Sequence, residues 1–305
     1  MDIVELHSGN LELGISPSVG GSIARFDWVA GDKSRTPLMR GCHSESINVL
    51  EAACFPLVPF VNRIRGSRFS FRGREVALKP NMAGDASVLH GQGWLGAWQC
   101  LYSDGQQAEL VFEHPAGEWP WTYEARQFFA LDVRGLTVRL SCLNTSPEPM
   151  PCGLGQHPYF PCDAETVLDT VVACAWEVDE QVLPTEKVPA TGRFDLRQRR
   201  ICGQGLDHGF SGWNGIAAIS GEPQLEGLHD DTGDAFLDRE DVFERTVVLV
   251  GPQLLVGRRV DQLSGDPQPV SGAPHGALQD VSHTQLARDG ADVLGRPLES
   301  HRGRP

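Results

Sequence analysis

The sequence has no stretch of about 18 consecutive apolar residues, so it contains no segment suited to cross a membrane as a helix. Its first residues, Met-Asp-Ile-Val-Glu, lack the basic and apolar regions of a secretory signal peptide. Acidic side chains outnumber basic ones by 40 to 26, and the resulting net charge of −14 repels the phosphates of nucleic acids. We therefore expect a cytoplasmic protein with neither a membrane nor a nucleic acid as its partner.

Cysteine pairs of the Cys-x-x-Cys type are absent, although the chain has eight cysteines. In a chain of 305 residues without a secretion signal, this indicates reduced thiols in the core rather than a disulfide framework or a zinc site. A glycine-rich phosphate loop, a Gly-x-Ser-x-Gly elbow and a His-x-x-x-His pair are also absent. The sequence therefore suggests no metal site and no phosphate-binding loop.

Aromatic residues are missing from the end of the chain. Of the 13 Phe, 7 Trp and 3 Tyr, the last is Phe243, so the final 62 residues contain none. From Val256 to Pro305 only 14 of 50 residues are hydrophobic, against 40% for the whole chain. Residues after about 255 are therefore atypical of the rest.

Short strand-like segments make up most of the sequence. Phe69–Val76 is typical of two short strands around a glycine turn. Tyr123–Leu143 gives the clearest pattern, because two apolar segments flank a turn and the second places Leu136, Val138 and Leu140 on one face. No convincing helical period occurs before the C-terminal segment.

This pattern predicts an all-β fold. Many short strands at spacings of about 8–12 residues, separated by Gly and Pro turns, are typical of a β-sandwich or a β-barrel. The chain has no repeat and no linker-like tract. We therefore expect a single β domain over residues 1–305, either a β-sandwich or a β-barrel.

Four motifs place polar residues inside apolar, turn-rich sequence. Each alone is compatible with a structural role, since histidines beside aliphatics are often core residues and an Asp before a loop glycine often belongs to a turn. Together they are the groups that bind a neutral polyol, because planar hydrogen-bonding groups hold hydroxyls and nearby aromatic rings cover the C–H face of a sugar. The motifs are Asn62-Arg63, His90 with Trp94 and Trp98 close by, His157 between Gly-Gln and Pro-Tyr-Phe, and Asp207-His208.

Five segments in a fixed order resemble a known family. They are Asn62-Arg63-Ile64, Leu89-His90-Gly91, Gly155–Phe160, Leu183-Pro184 with Phe194-Asp195, and Leu206-Asp207-His208. In order and spacing, over about residues 10–250, they are similar to the aldose 1-epimerase (galactose mutarotase) family. The resemblance implies a large antiparallel β-sandwich whose cleft binds a free aldose, such as galactose or another hexose. It also implies interconversion of the sugar's α and β anomers without metal or organic cofactor.

The resemblance implies a role for each motif. His157 would be the general acid that protonates the ring oxygen, and His90 would support the developing charge. Asn62, Arg63 and Asp207 would hold hydroxyl groups of the sugar. Ring opening needs one proton given and one removed, and a histidine and a carboxylate can share that work at neutral pH.

The family's base is a glutamate near the C-terminus, and this sequence departs from the family there. The aligned position is Gln268, and an amide cannot accept the proton. Asp261 and Asp266 are close, but displacement by a residue turns a strand side chain to the other face. Either the C-terminal segment has diverged or been replaced, for example through a shifted reading frame, or it is an ordinary loop-rich tail and the base lies elsewhere.

Three hypotheses about function follow from these residues. The first is a working mutarotase, and the second is a carbohydrate-binding or regulatory protein that keeps the cleft without the base. The third is an enzyme of the same fold with another reaction on carbohydrates, such as a lyase or a different isomerase. The first two are separated by whether a carboxylate stands opposite His157 across the cleft. The sequence leaves the identity of the sugar and the oligomeric state open.

Overall fold

The computed structural model describes residues 3–41 and 48–220, together with the backbone of three later strands at 235–237, 244–250 and 254–257. Within these residues the regular structure is almost entirely β-strand. The helices there are single 3-10 turns at Val49–Glu51, Arg65–Ser67 and Gly192–Phe194, and none could cross a membrane. The predicted all-β class is confirmed.

The described strands are numbered in chain order. The first group is β1 (Val4–Ser8), β2 (Leu11–Ser16), β3 (Ser22–Val29), β4 (Arg35–Met39), β5 (Cys54–Leu57), β6 (Arg63–Ile64), β7 (Arg68–Phe71), β8 (Arg74–Ala77) and β9 (Val88–Leu89). The second group is β10 (Gln99–Ser103), β11 (Gln107–His114), β12 (Tyr123–Asp132), β13 (Gly135–Asn144), β14 (Gly155–Pro158), β15 (Val167–Thr170) and β16 (Cys174–Val178). The third group is β17 (Pro184–Pro189), β18 (Arg199–Arg200), β19 (His208–Ser211), β20 (Ile216–Ser220), β21 (Ala235–Leu237), β22 (Glu244–Val250) and β23 (Leu254–Gly257).

Two larger sheets form an antiparallel β-sandwich, as predicted. One has six strands in the order β1-β2-β3-β5-β14, with β4 also paired to β3. The other has nine, in the order β10-β11-β12-β13-β22-β23-β20-β15-β18. Strands β1 and β2 pack against β11 and β12, and the apolar side chains of the two sheets share one core. A four-stranded sheet and two short ribbons, β6–β9 and β7–β8, complete the described part.

The hairpin β12–β13 shows why this sequence forms strands. The two ten-residue strands pair antiparallel without a break in register. Alternate side chains are buried, among them Phe129 and Leu131 on β12 and Leu136, Val138 and Leu140 on β13. The predicted face of the second strand is confirmed, because a period of two places every second apolar residue in the core.

The short hairpin predicted at Phe69–Val76 is also confirmed. Strands β7 and β8 pair antiparallel with Phe71 opposite Arg74. The two residues between them, Arg72 and Gly73, have φ of 49° and 80°. Positive φ at both central positions matches the tight turn that joins two twisted strands.

The expectation of reduced cysteines is wrong for one pair. Cys162 and Cys202 form a disulfide, with Cα atoms 6.0 Å apart. The two cysteines are 40 residues apart, so no local sequence pattern predicts their pairing. They meet because the fold brings the loop after β14 beside the loop before β19. Five other described cysteines, including Cys54, are free thiols.

Candidate active site

A cleft of about 700 Å³, counting its open mouth, lies where three parts of the fold meet. The first part is the β5–β14 pair at the edge of the six-stranded sheet, the second is the β6–β9 ribbon, and the third is the start of β19. The lining residues are Leu50, Phe55, Asn62, Arg63, Met82, Leu89, His90, Trp94, His157, Tyr159, Val178, Val182, Pro184, Asp207, His208 and Gly209.

The structure brings the sequence-predicted site residues of the described part into this one cleft. Asn62, Arg63, His90, His157 and Asp207 all line it, although they are spread over more than a hundred residues of sequence. Gln268, the aligned position of the base, lies outside the described residues.

His157 packs against two aromatic rings. Strand β14 pairs with β5 so that His157 lies opposite Phe55, and the two rings stack with centroids 4.6 Å apart. The Tyr159 ring lies 4.7 Å away, and His157 as a whole is only 4% exposed. This packing restricts the imidazole to one orientation within the cleft wall.

His90 is positioned by the backbone of Asn62. The N–H of His90 donates to the Asn62 carbonyl at 3.0 Å, and the N–H of Asn62 donates to His90 Nδ1 at 3.0 Å. Because Nδ1 accepts a hydrogen bond, the proton of the neutral imidazole is assigned to Nε2. His90 is therefore arranged to donate from Nε2 to an oxygen.

The two imidazoles are close neighbours. The ring centroids of His90 and His157 lie 5.5 Å apart, with the ring planes at 75°. Both imidazoles adjoin Phe55, which lies 4.6 Å from His157 and 6.5 Å from His90 and stacks on Trp94 at 5.5 Å. The spacing allows both histidines to reach neighbouring oxygens of one small polyol.

The turn that carries His90 depends on a close backbone approach. His90 and Gly91 have φ of 57° and 73°, in the left-handed region. A Cβ on Gly91 would lie 2.2 Å from the carbonyl oxygen of Val58, so this position requires glycine. Asn81 holds the same segment, because its side chain bonds the N–H and the carbonyl of Leu89 at 2.8 and 2.7 Å.

Arg63 enters the cleft from strand β6 with an ion pair that the sequence does not reveal. Its Nε donates to Asp85 Oδ2 at 2.7 Å. Asp85 lies in the loop before β9. Its Oδ1 accepts from the N–H of Ser87 at 2.8 Å, which is the hydrogen bond of an ordinary turn. Sequence reasoning assigns such a residue to loop chemistry and therefore misses the pairing.

Asp207 and His208 line the cleft where β19 begins. Asp207 is exposed, whereas His208 packs edge-on against Phe194 with ring centroids 5.0 Å apart. Burial, and then the positive charge of Arg193, lower the pKa of His208 below its usual value. His208 therefore presents a neutral imidazole to the cleft at neutral pH.

The aromatic wall is only partly predictable from the sequence. The sequence allows Trp94 to be either a core residue or a sugar contact. In the structure Trp94 is buried and also lines the cleft. Tyr159 belongs to the His157 motif of the sequence, whereas Phe55 carries no signal of its own, because it meets His157 through the pairing of β5 with β14. The guanidinium of Arg40 lies 3.8 Å from the centre of the Tyr159 ring and backs this wall.

The described lining of the cleft offers acid–base and hydrogen-bonding groups. Burial raises the pKa of the neighbouring Cys54 thiol to about 12, so it stays protonated at neutral pH. Its Sγ donates to Gln156 Oε1 at 3.3 Å. No cluster of three or more potential metal ligands occurs in the described part of the chain.

Comparisons with known proteins identify the family and the fold of the chain. The family model for aldose 1-epimerase matches residues 2–235. The chain is 40% identical over 227 residues to the uncharacterized protein YphB of Escherichia coli K12, covering 73% of this chain and 74% of YphB. It is 39% identical, with a TM-score of 0.66, to the crystal structure of an Escherichia coli K12 protein named as a candidate aldose 1-epimerase, covering 72% of this chain and 73% of that one.

A more distant structure shows the same fold. The galactose 1-epimerase of Lactobacillus acidophilus shares 21% identity and a TM-score of 0.58, covering 72% of this chain and 74% of that one. Because the family model spans most of the sequence, the chain belongs to the aldose 1-epimerase family.

Proposed function

We propose that the protein is a mutarotase that interconverts the α and β anomers of a free aldose, with galactose or another hexose as substrate. The observation that carries this proposal is the pair of imidazoles, His90 and His157, with ring centroids 5.5 Å apart in a cleft lined by aromatic rings. Two such groups can exchange protons with adjacent oxygens of a sugar. A cytoplasmic location stays a prediction from the sequence.

In the proposed reaction His157 donates a proton to the ring oxygen as the bond between that oxygen and C1 breaks. A base removes the proton of the C1 hydroxyl, and the electron pair left on that oxygen forms the aldehyde. Rotation about the C1–C2 bond and reversal of the proton transfers then give the other anomer. His90 stabilises the charge that develops on oxygen, because a donor fixed in advance costs no reorganisation.

Hydroxyl groups away from C1 are held by Asn62, Arg63 and Asp207 in this proposal. The Asn62 Oδ1 already accepts from the N–H of Arg63 at 2.8 Å, which leaves the amide NH₂ to face a hydroxyl. The half-buried Tyr159 ring would supply the apolar surface that a sugar C–H face requires, with the buried Phe55 and Trp94 rings stacked behind the lining.

A second candidate function is sugar binding or regulation without turnover. The observation that favours it is Gln268, an amide at the position aligned with the family's glutamate base. Asp207 is the one carboxylate among the described lining residues, and it has the role of a hydroxyl ligand in the proposal. The two candidates share the cleft and differ only in proton removal.

Polarimetry of freshly dissolved α-D-galactose and α-D-glucose separates the two candidates. A mutarotase accelerates the relaxation of optical rotation in proportion to protein concentration. A relaxation rate equal to that of buffer, with sugar binding still measured by calorimetry, would establish the binding function instead. Absence of both turnover and binding would contradict both proposals for these sugars.

His157→Ala tests the assignment of the acid. We expect kcat to fall by about 10²–10⁴-fold, the usual contribution of a general acid. His7→Ala is the matched control, because its side chain is 56% exposed and lies outside the lining set. Full activity in the His157 variant would show that another group protonates the ring oxygen.

A further inference from the structure

Asp85 is the carboxylate that faces the guanidinium of the cleft arginine. Its Oδ2 accepts from Arg63 Nε at 2.7 Å, and its Oδ1 accepts from the N–H of Ser87 at 2.8 Å. Both partners of the pair are mostly shielded, with side chains 21% and 18% exposed. One carboxylate therefore bridges strand β6 and the loop before strand β9.

This contact fixes how Arg63 presents its remaining donors. A guanidinium is a rigid planar fork, so engaging Nε orients the two terminal nitrogens as well. The backbone end is fixed too, because Arg63 pairs with Leu89 across β6–β9 and its N–H donates to Asn62 Oδ1. Hydroxyl groups that bind the terminal nitrogens would meet a pre-oriented donor.

The same contact changes the charge of the cleft. Asp85 neutralises the positive charge of Arg63, and Asp207 is the carboxylate of the described lining. A carboxylate or phosphate on the ligand would therefore meet an arginine that is already paired. A neutral sugar has no such disadvantage, since its hydroxyls need donors and acceptors rather than net charge.

We propose that Asp85 is a positioning and specificity-determining residue: it orients Arg63 for hydroxyl binding and directs the cleft toward uncharged sugars rather than sugar acids. This inference rests on the proposed sugar-binding function and names the class of sugar. Asp85 contacts Arg63 and acts through it.

Two variants of Asp85 separate geometry from charge. Asp85→Asn keeps an oxygen that can accept from Arg63 Nε and removes the charge, whereas Asp85→Ala removes both. With D-galactose, we expect Asp85→Ala to raise KM about tenfold with kcat within about twofold, and Asp85→Asn to change KM less than about threefold. In both variants, KM for D-galacturonate relative to D-galactose should fall about tenfold, because the arginine becomes available to an anion.

Glu118→Ala is the matched control. Glu118 forms an ion pair with Lys79 at 2.6 Å, and Lys79 is close in sequence to Asp85. Neither Glu118 nor Lys79 lines the cleft. This variant should leave both KM values unchanged. If Asp85→Ala behaves in the same way, Asp85 has no role in positioning or selectivity.

A readout without sugar distinguishes failure of this inference from failure of the proposed function. The Nε–H of Arg63 should give a protected signal in ¹⁵N NMR of the wild-type protein, assigned with Arg63→Lys, and the Asp85→Ala variant should lose that protection. Equal exchange in both proteins would overturn the positioning role whatever the activity. If the protection is lost but neither sugar is bound or turned over by the wild type, the proposed function fails and the specificity role fails with it.

Discussion

At the scale of single residues, the cleft is set by backbone conformation as much as by side-chain chemistry. Asn62 and His90 both have positive φ, of 63° and 57°, which is uncommon for residues with a Cβ. Their reciprocal hydrogen bonds hold these conformations. Gly91 has no Cβ, so its own backbone can lie against the Val58 carbonyl. The orientation of His90 therefore depends on a neighbour that has no side chain.

Gly91→Ala tests this dependence. The added Cβ would lie 2.2 Å from the Val58 carbonyl oxygen, so the turn must shift and carry His90 with it. We expect a loss of about 2–4 kcal/mol in the free energy of unfolding and a fall in kcat, measured by urea denaturation and polarimetry.

Gly73→Ala is the control for that experiment. Gly73 has φ of 80°, but a Cβ added there would have no neighbouring atom within 4 Å, so only the conformational cost of about 1 kcal/mol applies. Equal losses for the two variants would show that the contact with Val58 is not limiting.

At the scale of elements, long strands in which buried and exposed side chains alternate form the sandwich, and short strands contain the residues of the cleft. Strand β12 buries every second side chain along ten residues. The strands at the cleft, β6, β9 and β14, have two to four residues each. Long strands therefore provide a stable frame, and short ones position the polar groups.

Phe129→Ala measures how much the frame depends on the hairpin β12–β13. Phe129 is fully buried, and deletion of such a ring costs about 3–5 kcal/mol through lost transfer energy and a cavity. Val133→Ala in the turn of the same hairpin should stay within about 0.5 kcal/mol, because Val133 is 75% exposed. Thermal unfolding of both variants tests the difference, and similar values would contradict this packing.

Sequence patterns predict what is local in this fold and miss what is distant. Alternation and turn residues are sufficient to predict β12–β13 and the hairpin at Phe69–Val76, because both strands of a hairpin are neighbours in sequence. The stacking of Phe55 on His157 arises from pairing of β5 with β14, about a hundred residues apart, which no local pattern encodes. The ion pair of Arg63 with Asp85 is missed for the same reason.

At the scale of the whole molecule, the disulfide joins two segments that carry cleft residues. Cys162 follows Tyr159 by three residues, and Cys202 precedes Asp207 by five. The bond therefore links the aromatic wall of the cleft to the side that carries the carboxylate.

Reduction of this disulfide should lower stability. The cross-link spans 40 residues, and removal of its effect on the unfolded chain costs about 2–4 kcal/mol in free energy of unfolding. Urea unfolding with and without dithiothreitol tests this value, with Cys100→Ser, a free thiol, as a control that should retain the difference. Alkylation of Cys162 and Cys202 in denatured, unreduced protein would contradict the bond.

The order of strands in the nine-stranded sheet has a consequence for biosynthesis. Strands β22 and β23 lie between β13 and β20, although both follow β20 in the chain. A ribosome therefore releases β13 and β20 before the two strands that lie between them, and until then each has an unpaired edge. Strands β22 and β23, which contain no aromatic residue, are thus the strands that complete the nine-stranded sheet.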